Sequence, residues 1–269
     1  RIQNRGGRGV KGMTLNEDDI IEQNITMSTH DHLLLFTNKG KIYRIKGYRI
    51  PEATRNSKGL PVVNLLKLDK DEKVKTLVGM GKDDKLDGYL LFVTKNGLCK
   101  IAITLKDDDE LVTVKRTSGN DQIIIAASNG KAVRFKEEDI RPMGRNASGV
   151  RGMNVDGSSV IGACTDADGS YILVVSKNGY GKKSLLDEYR ITSRGAKGVK
   201  TIQITEKNGD LVALKAVNGD EDAIIMTDNG IVIRIPISSC STLGRSTQGV
   251  RLIKPQDGTF VSTVTILEH

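Results

Sequence analysis

Residues 123–135 read IIIAASNGKAVRF: an apolar run, an Asn-Gly pair, and a segment in which apolar and polar residues alternate. An Asn-Gly pair between two strand-like runs is the strongest short-range signal of a β-hairpin, because a type I′ turn needs positive φ at both central residues. The arrangement recurs around four further glycines, and at one of them an extra residue separates the Asn from the Gly. The sequence therefore predicts five hairpins, with turn glycines Gly40, Gly97, Gly130, Gly179 and Gly230.

A second motif, Arg-x-x-x-Gly followed by Val or Leu, accompanies these hairpins. Its glycine lies 19 residues after the turn glycine in four repeats. These four copies are Arg55–Gly59, Arg145–Gly149, Arg194–Gly198 and Arg245–Gly249. A fifth copy, Arg5–Gly9, would follow a hairpin that lies before residue 1, so we expect the first repeat to be incomplete in this chain.

The spacing of the turn glycines has one outlier. Successive turn glycines lie 57, 33, 49 and 51 residues apart, and the short repeat after Gly97 has no Arg-x-x-x-Gly copy. About 17 more residues between Lys100 and Ile101 would restore the period. A segment missing at this point and a true deletion both explain the shortfall.

A period near 50 residues, with several short strands and glycine turns per repeat, predicts an all-β array of propeller type. Five hairpins and the incomplete first repeat give a ring of about six blades. Because the period runs from end to end, we expect a single domain over residues 1–266. Residues 267–269 read Leu-Glu-His, which is typical of an expression-tag remnant.

Positive charge is concentrated at equivalent places in the repeats. The chain carries 41 Lys and Arg against 33 Asp and Glu, a net charge of +8. The windows 41–60, 131–150, 180–199 and 231–250 alone hold 18 basic and 6 acidic residues. In a ring of blades these windows form a belt of Lys and Arg, which is what neutralising a nucleic-acid phosphate backbone requires. An ordinary solvated strand face is the alternative for any single residue.

The candidate DNA-binding residues fall into three groups. One cation lies four residues after each of four turn glycines, and we expect all four to lie on the outer surface. The second group belongs to the Arg-x-x-x-Gly copies. The third is the glycine-rich start of the chain, where glycine allows close approach of the backbone to a phosphate. The groups are Arg44, Arg134, Lys183 and Arg234; Arg55, Lys58, Arg145, Arg194, Lys197 and Arg245; and Gln3, Arg5, Gly6, Gly7, Arg8, Gly9 and Lys11.

Catalytic and metal-binding patterns are poor. His30 and His32 are the only histidines outside residues 267–269, and no Cys or third His is near them, so we expect no metal site. The three cysteines are scattered, which fits a reducing cytoplasm better than a disulfide scaffold. No apolar run is long enough to span a membrane. We expect no catalytic residue and no cofactor in this domain.

The segment Gln3-Asn4-Arg5-Gly6-Gly7-Arg8-Gly9 closely resembles the heptapeptide box of the C-terminal domain of DNA gyrase A, with Asn4 where that family commonly has Arg. The repeats resemble the blades of that family over essentially the whole chain. The resemblance implies a six-bladed β-pinwheel that wraps duplex DNA around its rim. It also implies a heterotetramer in which the domain works with the gyrase A cleavage domain and with gyrase B, where ATP and Mg act.

Two alternatives stay open beside this resemblance. The equivalent domain of topoisomerase IV would have a degenerate box or none, so residues 3–9 argue against it. A propeller that serves as a protein-interaction scaffold would not need a continuous basic belt or bind DNA in a salt-dependent way.

Overall fold

A computed structural model describes residues 2–16, 19, 21–39, 41–54, 57–81, 89–101, 109–141 and 149–268. These residues form nineteen β-strands and six 3₁₀ turns, with no α-helix among them. The strands are β1 Val10–Lys11, β2 His32–Thr37, β3 Ile42–Lys46, β4 Val74–Met80, β5 Tyr89–Thr94, β6 Leu98–Ile101, β7 Leu111–Thr117, β8 Gln122–Ala127, β9 Lys131–Lys136, β10 Val150–Arg151, β11 Val160–Thr165, β12 Tyr171–Ser176, β13 Tyr180–Leu185, β14 Val199–Lys200, β15 Leu211–Val217, β16 Asp222–Thr227, β17 Ile231–Pro236, β18 Val250–Arg251 and β19 Val261–Leu267. The 3₁₀ turns are Gly47–Arg49, Val62–Asn64, Glu137–Asp139, Asp166–Asp168, Leu186–Glu188 and Ile237–Ser239.

All five predicted hairpins are present, as β2–β3, β5–β6, β8–β9, β12–β13 and β16–β17. In the four hairpins whose turn glycine is described, the turn type differs from the prediction. In the third hairpin Gly130 has φ of 78°, whereas Asn129 is not among the described non-glycine residues with positive φ. The Gly130 N–H donates to the Ala127 carbonyl at 3.0 Å. A type I turn followed by a left-handed glycine explains this geometry, and it needs positive φ only at the glycine.

Each of the five hairpins forms the middle of one antiparallel sheet or part of it, and the five sheets are the blades of a propeller-like ring. From the outermost strand inward, the second blade is β10-β6-β5-β7, the third β14-β9-β8-β11 and the fourth β18-β13-β12-β15. The fifth blade is β1-β17-β16-β19, and the first has three strands, β3-β2-β4. The inner strands of neighbouring blades contact one another from β4 through β7, β11 and β15 to β19.

The outermost strand of a blade comes from the repeat that follows the next hairpin. Thus β10 follows the third hairpin but pairs with β6 of the second. In the same way β14 follows the fourth hairpin and pairs with β9 of the third, and β18 follows the fifth and pairs with β13 of the fourth. By this rule the outer strand of the first blade would follow the second hairpin. That repeat is the short one without an Arg-x-x-x-Gly copy, and residues 102–108, which follow its hairpin, lie outside the described residues.

The predicted count of six blades is not confirmed, because the described residues form five sheets. The Arg5–Gly9 copy does not belong to a separate sixth blade among the described residues. The strand that follows it, β1, pairs with β17 and is the outermost strand of the fifth blade. Residues 21–27 form no assigned strand and lie between the inner strands of the fifth and first blades. There the Leu77 N–H donates to Gln23 Oε1 at 2.9 Å, and Thr265 Oγ1 donates to the Asn24 carbonyl at 3.0 Å.

The core lies between the blades because strand alternation directs one apolar row of each sheet at its neighbour. Leu91 and Val93 of the second blade pack with Ile123 and Phe135 of the third, and all four are fully or nearly fully buried. Equivalent clusters join the third blade to the fourth and the fourth to the fifth. No helix of the described residues is long and apolar enough to cross a membrane.

Candidate nucleic-acid interface

The outermost strand of four blades is a Val followed by a cation. β1, β10, β14 and β18 are two residues long, and in each the cationic second residue is exposed. We call this set the outer-strand cations; it consists of Lys11, Arg151, Lys200 and Arg251. Sequence reasoning named only Lys11. The other three stand two residues beyond the glycine of their Arg-x-x-x-Gly copy, just past the cation-rich windows of the repeats.

The outer-strand cations have local surroundings that keep positive charge near the surface. Arg251 stacks over the Tyr180 ring at 4.7 Å and donates to the Tyr180 hydroxyl at 2.6 Å. Lys200 pairs in register with Lys131, which places two cations side by side across the strand pair. Lys200 Nζ donates to Gln203 Oε1 at 2.9 Å. A neutral amide partner leaves the charge of Lys200 uncompensated, as phosphate binding requires.

Three of the Arg-x-x-x-Gly loops that precede these strands, at residues 5–9, 194–198 and 245–249, have similar backbone contacts. The residue after the Arg donates its N–H to the neighbouring repeat: Gly6 to the Leu252 carbonyl at 2.5 Å and Gly195 to the Gly152 carbonyl at 2.7 Å. The next carbonyl accepts a backbone N–H, as Gly7 does from Lys254 at 2.8 Å. Ala196 and Thr247 accept equivalent bonds from Asn154 and Gln203. The glycine-rich box is therefore built like the other loops.

The glycine that ends each loop is required by the hairpin beneath it. Gly9, Gly198 and Gly249 have φ between 74° and 82°, where L side chains are strained. A Cβ on Gly198 would lie 2.4 Å from the Ala132 carbonyl oxygen, and one on Gly9 would lie 2.8 Å from the Val232 oxygen. Close approach to a phosphate was the expected reason for the glycine at position 9. The reason the structure gives is close approach of the loop to the preceding hairpin.

The residue before this glycine points outward. Arg8, Lys58 and Lys197 occupy this position in three loops, and all three are exposed. Lys197 Nζ lies 3.0 Å from Asp156 Oδ1, and this bond lowers the pKa of Asp156. All three side chains therefore lie at the surface, and Lys197 is already paired with a carboxylate there.

Two of the four recurring strand cations are not on the outer surface, so that prediction was wrong for them. Arg134 and Lys183 are 9% and 8% exposed. The Arg134 guanidinium donates to the Leu186 carbonyl at 2.8 Å and the Tyr189 carbonyl at 2.9 Å. Lys183 Nζ donates to the Ile237 carbonyl at 3.0 Å. Because these carbonyls belong to the 3₁₀ turn after the next hairpin or directly follow it, both cations join neighbouring blades.

The other two recurring cations keep partial access to solvent. Arg44 is exposed and its guanidinium lies 2.8 Å from Nε2 of the buried His32. Burial and the cations around it lower the pKa of His32, so the ring accepts this bond in its neutral form. Arg234 is half-buried and forms an ion pair with the buried Asp222 at 2.6 Å.

The loop arginines also reach across to the preceding repeat. Arg194 Nε donates to the Asp139 carbonyl at 3.0 Å. Arg245 donates to the Glu188 carbonyl at 2.8 Å and to the Lys200 carbonyl at 2.6 Å. Arg5 donates to Ser241 Oγ at 2.6 Å. These contacts fix the angle between blades and engage part of each guanidinium before any ligand arrives.

The remaining predicted residues are placed as follows. Gln3 is half-buried and its N–H donates to the Arg234 carbonyl at 2.7 Å. Arg55 and Arg145 lie outside the described residues. Among the described residues, no group of three His, Cys, Asp or Glu side chains could hold a metal ion.

The comparisons with known proteins agree with this geometry. The model of the DNA gyrase C-terminal domain, beta-propeller, matches residues 1–23, 31–78, 100–118, 121–163, 170–218 and 221–265. The chain belongs to the family of DNA gyrase C-terminal domains. The DNA gyrase A protein of Staphylococcus epidermidis ATCC 12228 is 44% identical over 98% of this chain, and that of Staphylococcus aureus NCTC 8325 is 45% identical over the same share.

The chain spans about a third of the length of these gyrase relatives, 32% in both cases. The alignments run over 282 positions, more than the 269 residues of this chain, so the relatives carry residues that this chain lacks. A solved DNA gyrase A C-terminal domain matches with a TM-score of 0.89 and 26% identity, over 100% of this chain and 93% of its own. The C-terminal domain of a topoisomerase IV matches with a TM-score of 0.73 and 26% identity, over 90% and 80%.

Proposed function

We propose that this domain binds duplex DNA around its rim and wraps it, so that a type II topoisomerase can introduce negative supercoils. The observation that carries the proposal is the repetition of an exposed cation on the outermost strand of four blades. Arg8 and Lys197 add exposed charge on the loops beside these strands, and Lys58 adds it on the corresponding loop of the first repeat. A DNA duplex that follows the rim would meet an equivalent group at each of these four blades.

Binding of this kind rests mainly on phosphates. Contacts to the DNA backbone position a protein without reading the base sequence, so we expect weak sequence preference and strong dependence on salt. Bending 20–30 base pairs sharply costs on the order of 1–6 kcal/mol. The outer-strand cations must offset this cost over the whole wrap.

The inter-blade contacts have a different part in the proposal. Arg134, Lys183, Arg194 and Arg245 are engaged with carbonyls of neighbouring blades, so they set the ring geometry along which the DNA would run. DNA contact by any of the predicted site residues, the box at Gln3–Gly9 included, remains part of this proposal.

The activity of the whole enzyme extends beyond this chain. We infer that the domain is non-catalytic and binds no cofactor, and that ATP and Mg act in other parts of a cytoplasmic heterotetramer with gyrase B. The wrapped DNA would present a crossing of fixed hand to the cleavage domain of gyrase A. Residues 1–266 would form this one DNA-wrapping domain; Leu267, expected to belong to a tag remnant, is the last residue of β19 and pairs with Asp222.

A ring of six blades is also part of the proposal. Gly59 has φ of 81° like its counterparts, but no described atom lies within 4 Å of a Cβ built on it. The loop at residues 57–60 therefore has the form that docks on a preceding hairpin without having one. Residues 21–27 occupy the place of an inner strand next to the same gap. A sixth hairpin before Arg5 would give the loop at residues 57–60 a hairpin to dock on and would give residues 21–27 a sheet to join.

Topoisomerase IV is the second candidate because its C-terminal domain shares the fold. The box at Gln3–Gly9 and the better structural match to the gyrase domain favour gyrase. The two candidates differ in a measurable way, since a gyrase domain should change the topology of relaxed DNA by itself.

The test is a nicked circular DNA closed by ligase in the presence of this chain. Wrapping should leave a non-zero linking-number change after the protein is removed, and this change should vanish as salt is raised. The double variant Arg5→Ala, Arg8→Ala should lose most of the topological change while its affinity for short linear DNA falls modestly. The exposed Lys58→Ala change is a matched control that removes one loop charge outside the box.

Three results would count against the proposal. Equal loss of short-DNA affinity and of wrapping would make the box an ordinary binding patch. Full wrapping by the double variant would make the box dispensable. No topological change by the unaltered chain at any salt concentration would remove DNA wrapping as the function.

A further inference from the structure

The centre of the ring contains a cavity of about 460 Å³. It is lined by the inner strands of all five blades and by residues 23–26, and its walls include Thr113, Lys115, Lys215 and Asn218. Known small-molecule sites occupy about 300–1,000 Å³. The cavity lies on the opposite edge of the blades from the outer-strand cations, so the proposed DNA contacts make no use of it.

Two lysines enter this cavity from equivalent positions. Lys115 pairs with Leu91, and Lys215 pairs with Leu173. In both blades the pairing register shifts further along the hairpin strand, between Val93 and Thr94 and between Val175 and Ser176. In the third and fifth blades the equivalent positions hold Cys164 and Thr265. The repeat itself therefore does not demand a cation here, and two blades out of the five place one at the same level of the channel.

Two of the carboxylates that line the cavity, Asp168 and Glu221, are already engaged, and the third belongs to Glu268 at the end of the described chain. Asp168 accepts from Lys115 Nζ at 2.8 Å and from the Thr165 N–H at 2.9 Å. Glu221 accepts the N–H groups of Asn218 and Gly219, both at 2.7 Å. Among the described residues, Lys215 has neither an ion pair nor a hydrogen bond to its ammonium group.

We propose that the channel binds a small phosphate-type oxyanion between Lys215 and Lys115. The anion would supply the negative charge that Lys215 lacks, and the polar walls of the cavity would complete its hydrogen bonds. The ligand is defined by this chemistry: a compact phosphate with two negative charges, small enough to pass between the inner strands.

The electrostatics of the channel agree with this geometry. Burial, and then the nearby charge of Lys115, lower the pKa of Lys215, while Cys164 and Asp168 raise it by less. An anion bound beside Lys215 would favour its charged form and raise that pKa again. Above the pH at which phosphate carries both of its charges, binding therefore becomes weaker as the pH rises and the ammonium group loses its proton.

The test uses inorganic phosphate as the probe, with ionic strength held constant by chloride. Calorimetry should show one saturable site. At a phosphate concentration 100 times the Kd, the melting temperature should rise by roughly 5–10 °C. The variant Lys215→Met should fold, because it removes a half-buried charge, and it should show neither the saturable heat nor the rise. The outer-strand variant Lys200→Met should keep both.

Any of three results would overturn the proposal. The first is the absence of saturable heat when phosphate is added to the unaltered chain. The second is a Lys215→Met variant that retains the same heat and the same rise in melting temperature. The third is a Lys200→Met variant that loses both, since this would place the phosphate on the outer rim. None of these measurements involves DNA, so they stand or fall separately from the wrapping proposal.

Discussion

The first and fourth blades begin with the same hairpin plan and end differently. In the fourth blade β18 covers the edge of β13, and Arg251 of β18 faces outward. In the first blade no described strand covers β3, so Ile42 is 55% exposed, whereas its counterpart in the third blade, Ala132, is fully buried beneath β14. The outer strand thus both covers the edge of the sheet and carries the exposed cation. A blade without this strand has an uncovered edge and lacks this cation.

The strongest test of this difference compares two glycines with the same backbone conformation. Gly198→Ala should destabilise the chain by roughly 2–4 kcal/mol, because strain at positive φ adds to a clash with the Ala132 carbonyl. Gly59→Ala should cost only about 1–2 kcal/mol, since its Cβ meets no described atom. Urea unfolding of both variants measures this. Equal costs would show that loop docking does not stabilise the blade.

A second comparison concerns charged side chains on the loops. Arg245→Ala removes two bonds to carbonyls of the fourth repeat, and we expect a loss of about 1–2 kcal/mol, reduced from the usual range by partial exposure. Lys58→Ala, on the undocked loop of the first repeat, should stay within about 0.5 kcal/mol of the unaltered chain. A neutral Arg245→Ala variant in thermal unfolding would remove the inter-blade role from the motif arginines.

The third comparison concerns DNA. Arg251→Ala or Lys200→Ala should each reduce the slope of log K against log salt by about 0.9, because each is expected to release the counterions of one phosphate. Arg49→Ala changes an exposed cation of the first blade that lies on no outer strand, and it should leave the slope nearly unchanged. Fluorescence titrations of short duplexes across a series of salt concentrations provide the slopes. A larger change with Arg49→Ala would move the DNA path to the first blade.

The smallest expected effect is a local response to acid. Glu72 is buried in the first blade and accepts from Thr37 Oγ1, the Asp69 N–H and the Tyr43 hydroxyl. Burial raises its pKa, but these bonds outweigh burial and lower the pKa to about 2. A depressed folded-state pKa gives stability that is present above the ordinary value of 4.5 and lost as the pH falls towards 2.

In the fourth blade Asn208 is the buried polar residue beside the turn, and it does not titrate. After correction for the intrinsic pH dependence of amide exchange, protection from hydrogen exchange should therefore fall between pH 4.5 and 2 in residues 32–46 before it falls in residues 171–185. Glu72→Gln should remove this difference between the two blades. A parallel loss of protection in both segments would assign the acid response to the ring as a whole.

The sequence predicts most of this fold because hairpins are local. Each turn glycine lies within a few residues of the apolar runs beside it, and all five hairpins form there. The repeat does not specify which strands pair with each other. For this reason the sequence predicted neither the pairing of β10, β14 and β18 with the previous hairpin nor the number of blades.

The candidate interface was predicted less well, for a related reason. Alternation places Arg134 and Lys183 on the face opposite the apolar row, but it does not reveal that the next blade covers that face. Their burial depends on contacts with residues 52 and 54 positions away. The outer-strand cations Arg151, Lys200 and Arg251 could have been found, since each follows the Gly-Val of a motif copy.

The closure of the fifth blade has a consequence for how the chain is made. Val10 pairs with Val232, so β1 has no partner strand until the ribosome has added more than 200 further residues. At roughly 5–20 residues per second, that wait is on the order of tens of seconds. During this time the cationic, glycine-rich segment before β1 is not yet held against a neighbouring repeat. The ring therefore closes late in synthesis, by a contact between two segments translated far apart in time.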